Sequence, residues 1–284
     1  MNPRVIAKIE TEAPTQKLAV LIDADNAQPS IIEGLLAEVA KFGEAAVKRI
    51  YGDFTSPMSA SWKKVLNRLA IKPMQQFAYT TGKNATDSAL IIDAMDLLYT
   101  RRFDGFCLVT SDSDFTGLAL RLREEGLLVL GFGAAKTPES FRNACHRFLF
   151  TEVLRPVATH DEEAPTNLKQ NPAITATAPS STTVSSKAAS NVAGAALPDT
   201  FIRDALASAP SDDAGWVHLG PFGAYLNKLR PDFDSRNYGY KKLSDLLRAL
   251  PHACEVDERV GQDPKTRVIF VRSRTRISPA SPPN

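Results

Sequence analysis

Apolar residues run without a break over Leu18–Ile22 and again over Phe106–Val109, and each run ends in short polar and acidic side chains. Asp23-Ala24-Asp25-Asn26 follows the first run, and Thr110-Ser111-Asp112-Ser113-Asp114 follows the second. Uninterrupted, partly β-branched runs of this length suit strands buried on both faces of a parallel sheet. Such strand patterns fall at 17–23, 46–51, 71–77, 104–110 and 127–132. They alternate with helical patterns near 29–42, 59–69, 86–100 and 114–125, and a short helix and strand over 138–150 extend the series. The alternation predicts an α/β fold, a parallel sheet with helices on both faces. Acids at the carboxyl ends of two buried strands then converge on one crevice, where open α/β sheets place their ligands.

Beyond Leu154 the pattern stops. Residues 155–198 are rich in Ala, Thr, Ser, Pro and Asn and poor in large apolar side chains. Such a segment has too little to bury to offset the entropy of ordering, so it reads as a disordered linker. As a flexible coil it spans about 35 Å and tethers a second module without fixing its orientation. Helical patterns resume at 199–208, 218–229 and 239–249, followed by extended pieces at 253–257 and 267–272. Three helices and a hairpin over 199–272 predict a small winged helix-turn-helix. Residues 273–284 read as a disordered tail.

Composition narrows the setting. A chain of 284 residues has room for two domains. Its net charge of +2 is too mild to announce nucleic-acid binding by itself, so that reading rests on local patterning. Cys107, Cys145 and Cys254 are widely spaced and form no paired Cys/His ligand pattern. They fit reduced thiols in a cytoplasmic protein better than a disulfide framework or a zinc site. No apolar stretch approaches a membrane span, and the start of the sequence lacks a signal-type apolar core. The expected location is the cytoplasm.

The acids carry the chemistry. Asp23 sits at a strand tip, with Asp25 and Asn26 next in the loop and Pro29 placed to open a helix. Asn26 has three open roles: orienting a water, contacting a phosphate, or shaping the turn. Capping and turn formation compete as the reading of any single Asp or Asn here. Asp87 adds weight, because on a helix it lies within about 40° of Ile91, Ala94 and Leu98, the stripe facing the sheet. Asp112 and Asp114 follow the fourth strand. Clustered carboxylates repel one another unless a cation neutralises them, and oxygen-only ligands suit Mg²⁺ or Mn²⁺. Phosphodiester hydrolysis is the natural chemistry of such a site. The Gly131-Phe132-Gly133 pair is compatible with phosphate contact, but a tight turn suffices to explain it.

The combination Leu21-Ile22-Asp23-Ala24-Asp25-Asn26, Lys83-Asn84-Ala85-Thr86-Asp87 and Thr110-Ser111-Asp112-Ser113-Asp114-Phe115 resembles the NYN domain, a branch of the PIN-like nuclease superfamily that includes the LabA-like proteins. The match covers about 17–154. The resemblance implies a PIN-like, Rossmann-like sheet and a metal-dependent ribonuclease. It further implies metal carboxylates at Asp23, Asp87 and Asp112, with Asn26 and Asp114 in support and Asp114 an additional metal ligand. Asp25 and Asp93 match less closely, Asp53 reads as a turn residue, and Lys83 is either a phosphate contact or a solvated lysine. Gly215-Trp216-Val217-His218-Leu219-Gly220 and the stretch Leu226–Leu247 resemble the LOTUS domain, or OST-type helix-turn-helix, an RNA-binding module. Six basic residues against three acidic ones give residues 216–250 a net charge of +3. Lys241, Lys242 and Arg236 are candidate RNA phosphate contacts, and Tyr238 or Tyr240 a base-stacking residue or a core one. Lys265, Arg267, Arg272, Arg274 and Arg276 extend the basic run, whereas Trp216, Phe222 and Phe233 read as packing.

Two other functions stay open on sequence grounds. One is a catalytically inactive RNA-binding adaptor. The other is a haloacid-dehalogenase-like phosphatase using Asp23-Ala24-Asp25, although that motif continues to a Thr where this chain has Ala27. Besides RNA, homo-oligomerisation and a protein partner for the second domain are compatible with the sequence.

Overall fold

The computed structural model describes residues 15–55, 60–77, 85–154, 197–260 and 267–274. Lys83, the linker residues 155–196, Lys265, Arg276 and the tail from 275 lie outside the described residues. The first domain is a six-stranded parallel sheet in the order β3-β2-β1-β4-β5-β6. Its strands are β1 (Lys17–Asp23), β2 (Glu44–Gly52), β3 (Lys72–Gln75), β4 (Gly105–Val109), β5 (Leu128–Gly133) and β6 (Arg147–Phe150). Helices α1 (Ile32–Val39), α2 (Ala60–Leu69), α3 (Ala85–Tyr99), α4 (Thr116–Glu124) and α5 (Glu139–Ala144) connect them.

Strand parity sorts the core into two layers. Ala19 and Leu21 of β1 with Phe106 and Leu108 of β4 pack against Leu90, Ala94, Leu97 and Leu98 of α3 and against α4 and α5. Leu18, Val20, Ile22, Cys107 and Val109 face the other way, onto α1 and α2. Both faces of the central strands are therefore covered, which is why their sequences are apolar at every position. Gly131 and Gly133 lie inside β5 rather than in a turn after it. A Cβ on Gly131 would meet Cys145 Sγ at 2.6 Å, and one on Gly133 would meet the Thr110 carbonyl oxygen at 2.5 Å. Close packing, not phosphate contact, explains the pair.

The second domain contains α6 (Asp199–Ser208), α7 (Leu219–Leu229) and α8 (Leu243–Arg248) with a three-stranded sheet in the order β7-β9-β8. The strands are β7 (Val217–His218), β8 (Cys254–Val260) and β9 (Arg267–Ser273). Ile202, Phe222, Leu226, Leu246, Leu247, Leu250 and Val271 form its core. All three cysteines are free and buried. Among the described residues no helix is long and apolar enough to cross a membrane.

Candidate active site

The sheet runs β1, β2, β3 in one direction and β4, β5, β6 in the other, so the order reverses between β1 and β4. Ile22 pairs with Val109 across that junction, which sets Asp23 and Thr110 side by side at the strand tips. Parity does the rest. Asp23 follows Ala19 and Leu21, and Thr110 follows Phe106 and Leu108, so both point to the layer that holds α3.

Asp23 is 1% exposed and lies in a tight frame of donors. Its Oδ2 accepts from Asn26 Nδ2 at 2.7 Å and from Thr110 Oγ1 at 2.9 Å, while Oδ1 accepts the Asp25 N–H at 3.0 Å. Burial pushes its carboxyl above the ordinary range, and these three hydrogen bonds work against that rise. Asn26 therefore aims Asp23. Thr110, absent from the residues singled out in the sequence, also accepts the Asp112 N–H at 3.2 Å and so joins the two strand tips. Its signal was available: Phe106, Leu108 and Thr110 share the alternation of Ala19, Leu21 and Asp23.

Asp112 opens the short 3-10 turn Ser113–Phe115, and its Oδ1 accepts the Asp114 N–H at 2.9 Å. Asp112 is thus a cap as well as a strand-tip acid. Asp87 enters from the first turn of α3. Its carboxyl is pushed up to about 6, by burial first and then by the charges of Asp23, Asp112, Asp114 and Asp25. The acids therefore repel one another across the crevice. Among the described residues, no three His, Cys, Asp or Glu side chains close into a ready metal cage. The donor set nevertheless fits a hard cation, being oxygen-only and mutually repulsive.

Neighbouring residues take supporting parts. Arg49 and the Tyr51 hydroxyl both donate to Asp93, strapping α3 to β2 six residues beyond Asp87. Asp53 accepts from the Thr55 N–H and hydroxyl and from Gln75 Nε2, as a turn residue does.

In the second domain Lys241 and Lys242 are exposed. Arg236 instead pairs with Asp234 at 2.8 Å and with Glu38 of the first domain. Tyr238 packs on Phe233, with ring centroids 6.0 Å apart, and burial pushes its phenol up. Phe222 and Phe233 are buried, while Trp216 stacks with the guanidinium groups of Arg259, 4.8 Å away, and Arg272, 4.6 Å away.

Comparison with known proteins follows the same division of the chain. The family model of the NYN domain matches residues 17–154, and that of the OST-HTH/LOTUS domain matches 196–266. No curated protein matches. Among solved structures, a protein of unknown function from Vibrio parahaemolyticus is 18% identical with a TM-score of 0.40, over 48% of this chain and 93% of that one. An uncharacterized protein from Nitrosomonas europaea, determined in solution, is 43% identical with a TM-score of 0.27, over 34% of this chain and 90% of that one.

Proposed function

The chain joins an NYN domain to an OST-HTH/LOTUS domain, and from that premise we propose a two-part, metal-dependent ribonuclease that hydrolyses phosphodiester bonds within RNA. NYN domains are typically nucleases, and the OST-HTH/LOTUS domain suggests RNA binding. One observation carries the finer reading: Asp23, Asp112 and Asp114 stand where the strand order reverses, and burial together with their charges pushes the neighbouring Asp87 carboxyl up to about 6.

Asp23, Asp87, Asp112 and Asp114 would hold Mg²⁺ or Mn²⁺. Bound there, such a cation supplies charge neutralisation at a phosphoryl oxygen and a lowered pKa for an attacking water. The chain's own residues supply orientation. Asn26 and Thr110 fix the rotamer of Asp23 from two directions, and the Asp112 cap fixes the loop that carries Asp114. The strap of Arg49, Tyr51 and Asp93 holds α3, and with it Asp87, against the sheet. RNA is held by Lys241 and Lys242 of the second domain as phosphate contacts. A cytoplasmic location belongs to the same reading, in keeping with three unpaired cysteines.

The test is cleavage of labelled single-stranded and structured RNAs by the purified protein with Mg²⁺, with Mn²⁺ and with EDTA. Metal-dependent internal cleavage is expected, and Asp112→Asn should abolish turnover while preserving the fold. Undiminished cleavage by folded Asp23→Asn and Asp112→Asn variants would remove this site from consideration. An inactive RNA-binding adaptor is the alternative reading of the same two domains. It predicts binding without cleavage under every condition of the same assay.

A further inference from the structure

We infer that the OST-HTH domain docks on the β6 edge of its own NYN domain through a built ionic latch, so that the two domains move as one body. The contact begins in the backbone: the Phe148 N–H of β6, which faces away from the sheet, donates to the Pro231 carbonyl at 2.9 Å. Arg142 of α5 pairs with Asp232, and Arg147 of β6 lies 3.4 Å from Asp234. Arg236 reaches the other way, to Glu38 of α1. The first domain thus offers two cations and one anion, and the second offers two anions and one cation. The signs match at every pair.

The latch segment is shaped in advance by its own domain. Asp234 caps the following 3-10 turn by accepting the Arg236 N–H at 2.9 Å and Arg236 Nε at 3.0 Å. Asn237 Nδ2 donates to the Asp232 carbonyl at 3.0 Å, and Phe233 between the two acids is buried. The side chains of Asp232 and Asp234 are each 8% exposed and that of Glu38 is 10% exposed. Each of these carboxylates has one cation in its own domain, Arg230 for Asp232, Arg236 for Asp234 and Lys41 for Glu38, and docking gives each a second, which offsets the cost of covering a charge. Docking also covers the open edge of the parallel sheet, which would otherwise present an unpaired donor to other chains. The occupant is the chain's own second domain: the complementarity lies within a single sequence, and residues 155–196 connect the two halves. RNA is a poorer fit, since Asp232 and Asp234 already face Arg142, Arg147 and Arg236.

The inference is independent of nuclease activity and is tested on the full chain by backbone nitrogen relaxation together with light scattering. The wild type should give one tumbling time for both domains at monomer mass. Arg142→Asp and Asp232→Arg should each split it into two, the shorter belonging to the second domain. Combining Arg142→Asp with Asp232→Arg restores the attraction with the signs exchanged and should return a single tumbling time. Far-ultraviolet circular dichroism excludes unfolding, and Arg147→Asp provides a second, more exposed break. Two tumbling times in the wild type would overturn the inference, as would retention of one time in both Arg142→Asp and Arg147→Asp. A dimeric mass with one shared time would assign the latch to a second copy and overturn the intrachain docking.

Discussion

Asp87 is the carboxylate whose protonation reports on the rest of the crevice, because burial raises it and four other aspartates add to that rise. A folded-state value near 6, against an ordinary value of 3.8, means that the native protein binds this proton more tightly than the unfolded chain. Its contribution to stability is therefore fully present below about pH 4 and is lost as pH rises through about 6. Glu38 and Asp234 run the other way, since their hydrogen-bonded partners hold their carboxyls below the ordinary range and their stabilisation is lost in acid. Comparing wild type with Asp87→Asn cancels those groups. Thermal melts in EDTA should show no advantage for the variant near pH 4 and a growing advantage up to pH 7; a pH-independent difference would contradict the raised Asp87 carboxyl. Thr110 allows a second check. Thr110→Val keeps the shape but leaves buried Asp23 without one of its donors, at a cost of about 1–3 kcal/mol. Cleavage should fall sharply in Thr110→Val and survive in Thr110→Ser, which keeps the hydroxyl; equal activity of all three proteins would deny Thr110 a positioning role.

At the scale of elements, α3 matters because one helix bears both Asp87 and the strap at Asp93. Tyr51→Phe removes one donor from Asp93 while Arg49 keeps its pair, so chemical denaturation should show a loss of about 1 kcal/mol. Hydrogen exchange should quicken across the first turns of α3 more than across α4, and equal protection would show that apolar packing alone holds the helix. Much of this architecture was legible in the sequence. The predicted limits of β1 and α6 coincide with the observed ones, because an uninterrupted apolar run and a well-defined helical stripe each leave a periodic trace. The pattern over 239–249 yielded only Leu243–Arg248. Gly239 adopts a left-handed conformation at φ +84, and Lys242 is extended, so the helix begins only after both. Strand β7 has two residues and is too short for any alternation to show. The placement of the candidate residues was legible in part: Asp23 and Asp112 stand out as strand tips, whereas the contacts of Asn26 and Thr110 with Asp23 require the folded loop and the register of β1 against β4. Arg236 was the hardest to foresee, because a partner 198 positions away leaves no local signal.

For the whole molecule, the docked arrangement alters what the second domain is expected to contribute. On a free tether an RNA held by that domain meets the crevice at an effective concentration on the order of millimolar, set by linker length. Docking makes the orientation fixed and the linker length secondary. Lys241→Ala combined with Lys242→Ala should weaken binding to many RNA sequences together and flatten the salt dependence, with a slope smaller by roughly 1.4 for single strands if both contact phosphates. An unchanged slope would take these lysines out of the interface. Deleting residues 197–284 should lower cleavage efficiency at dilute RNA far more than turnover at saturating RNA, because uniform binding is lost while contacts made at the scissile bond remain. It should also uncover the outward Phe148 N–H on β6, so light scattering of the truncated protein is a needed control against edge pairing. Arg142→Asp separates capture from orientation, since it leaves Lys241 and Lys242 in place while breaking the latch. Its efficiency on dilute RNA should fall between those of the full chain and the truncated domain. Efficiency equal to the full chain would show that capture alone suffices, and equal efficiency of all three proteins would assign the second domain to some other partner.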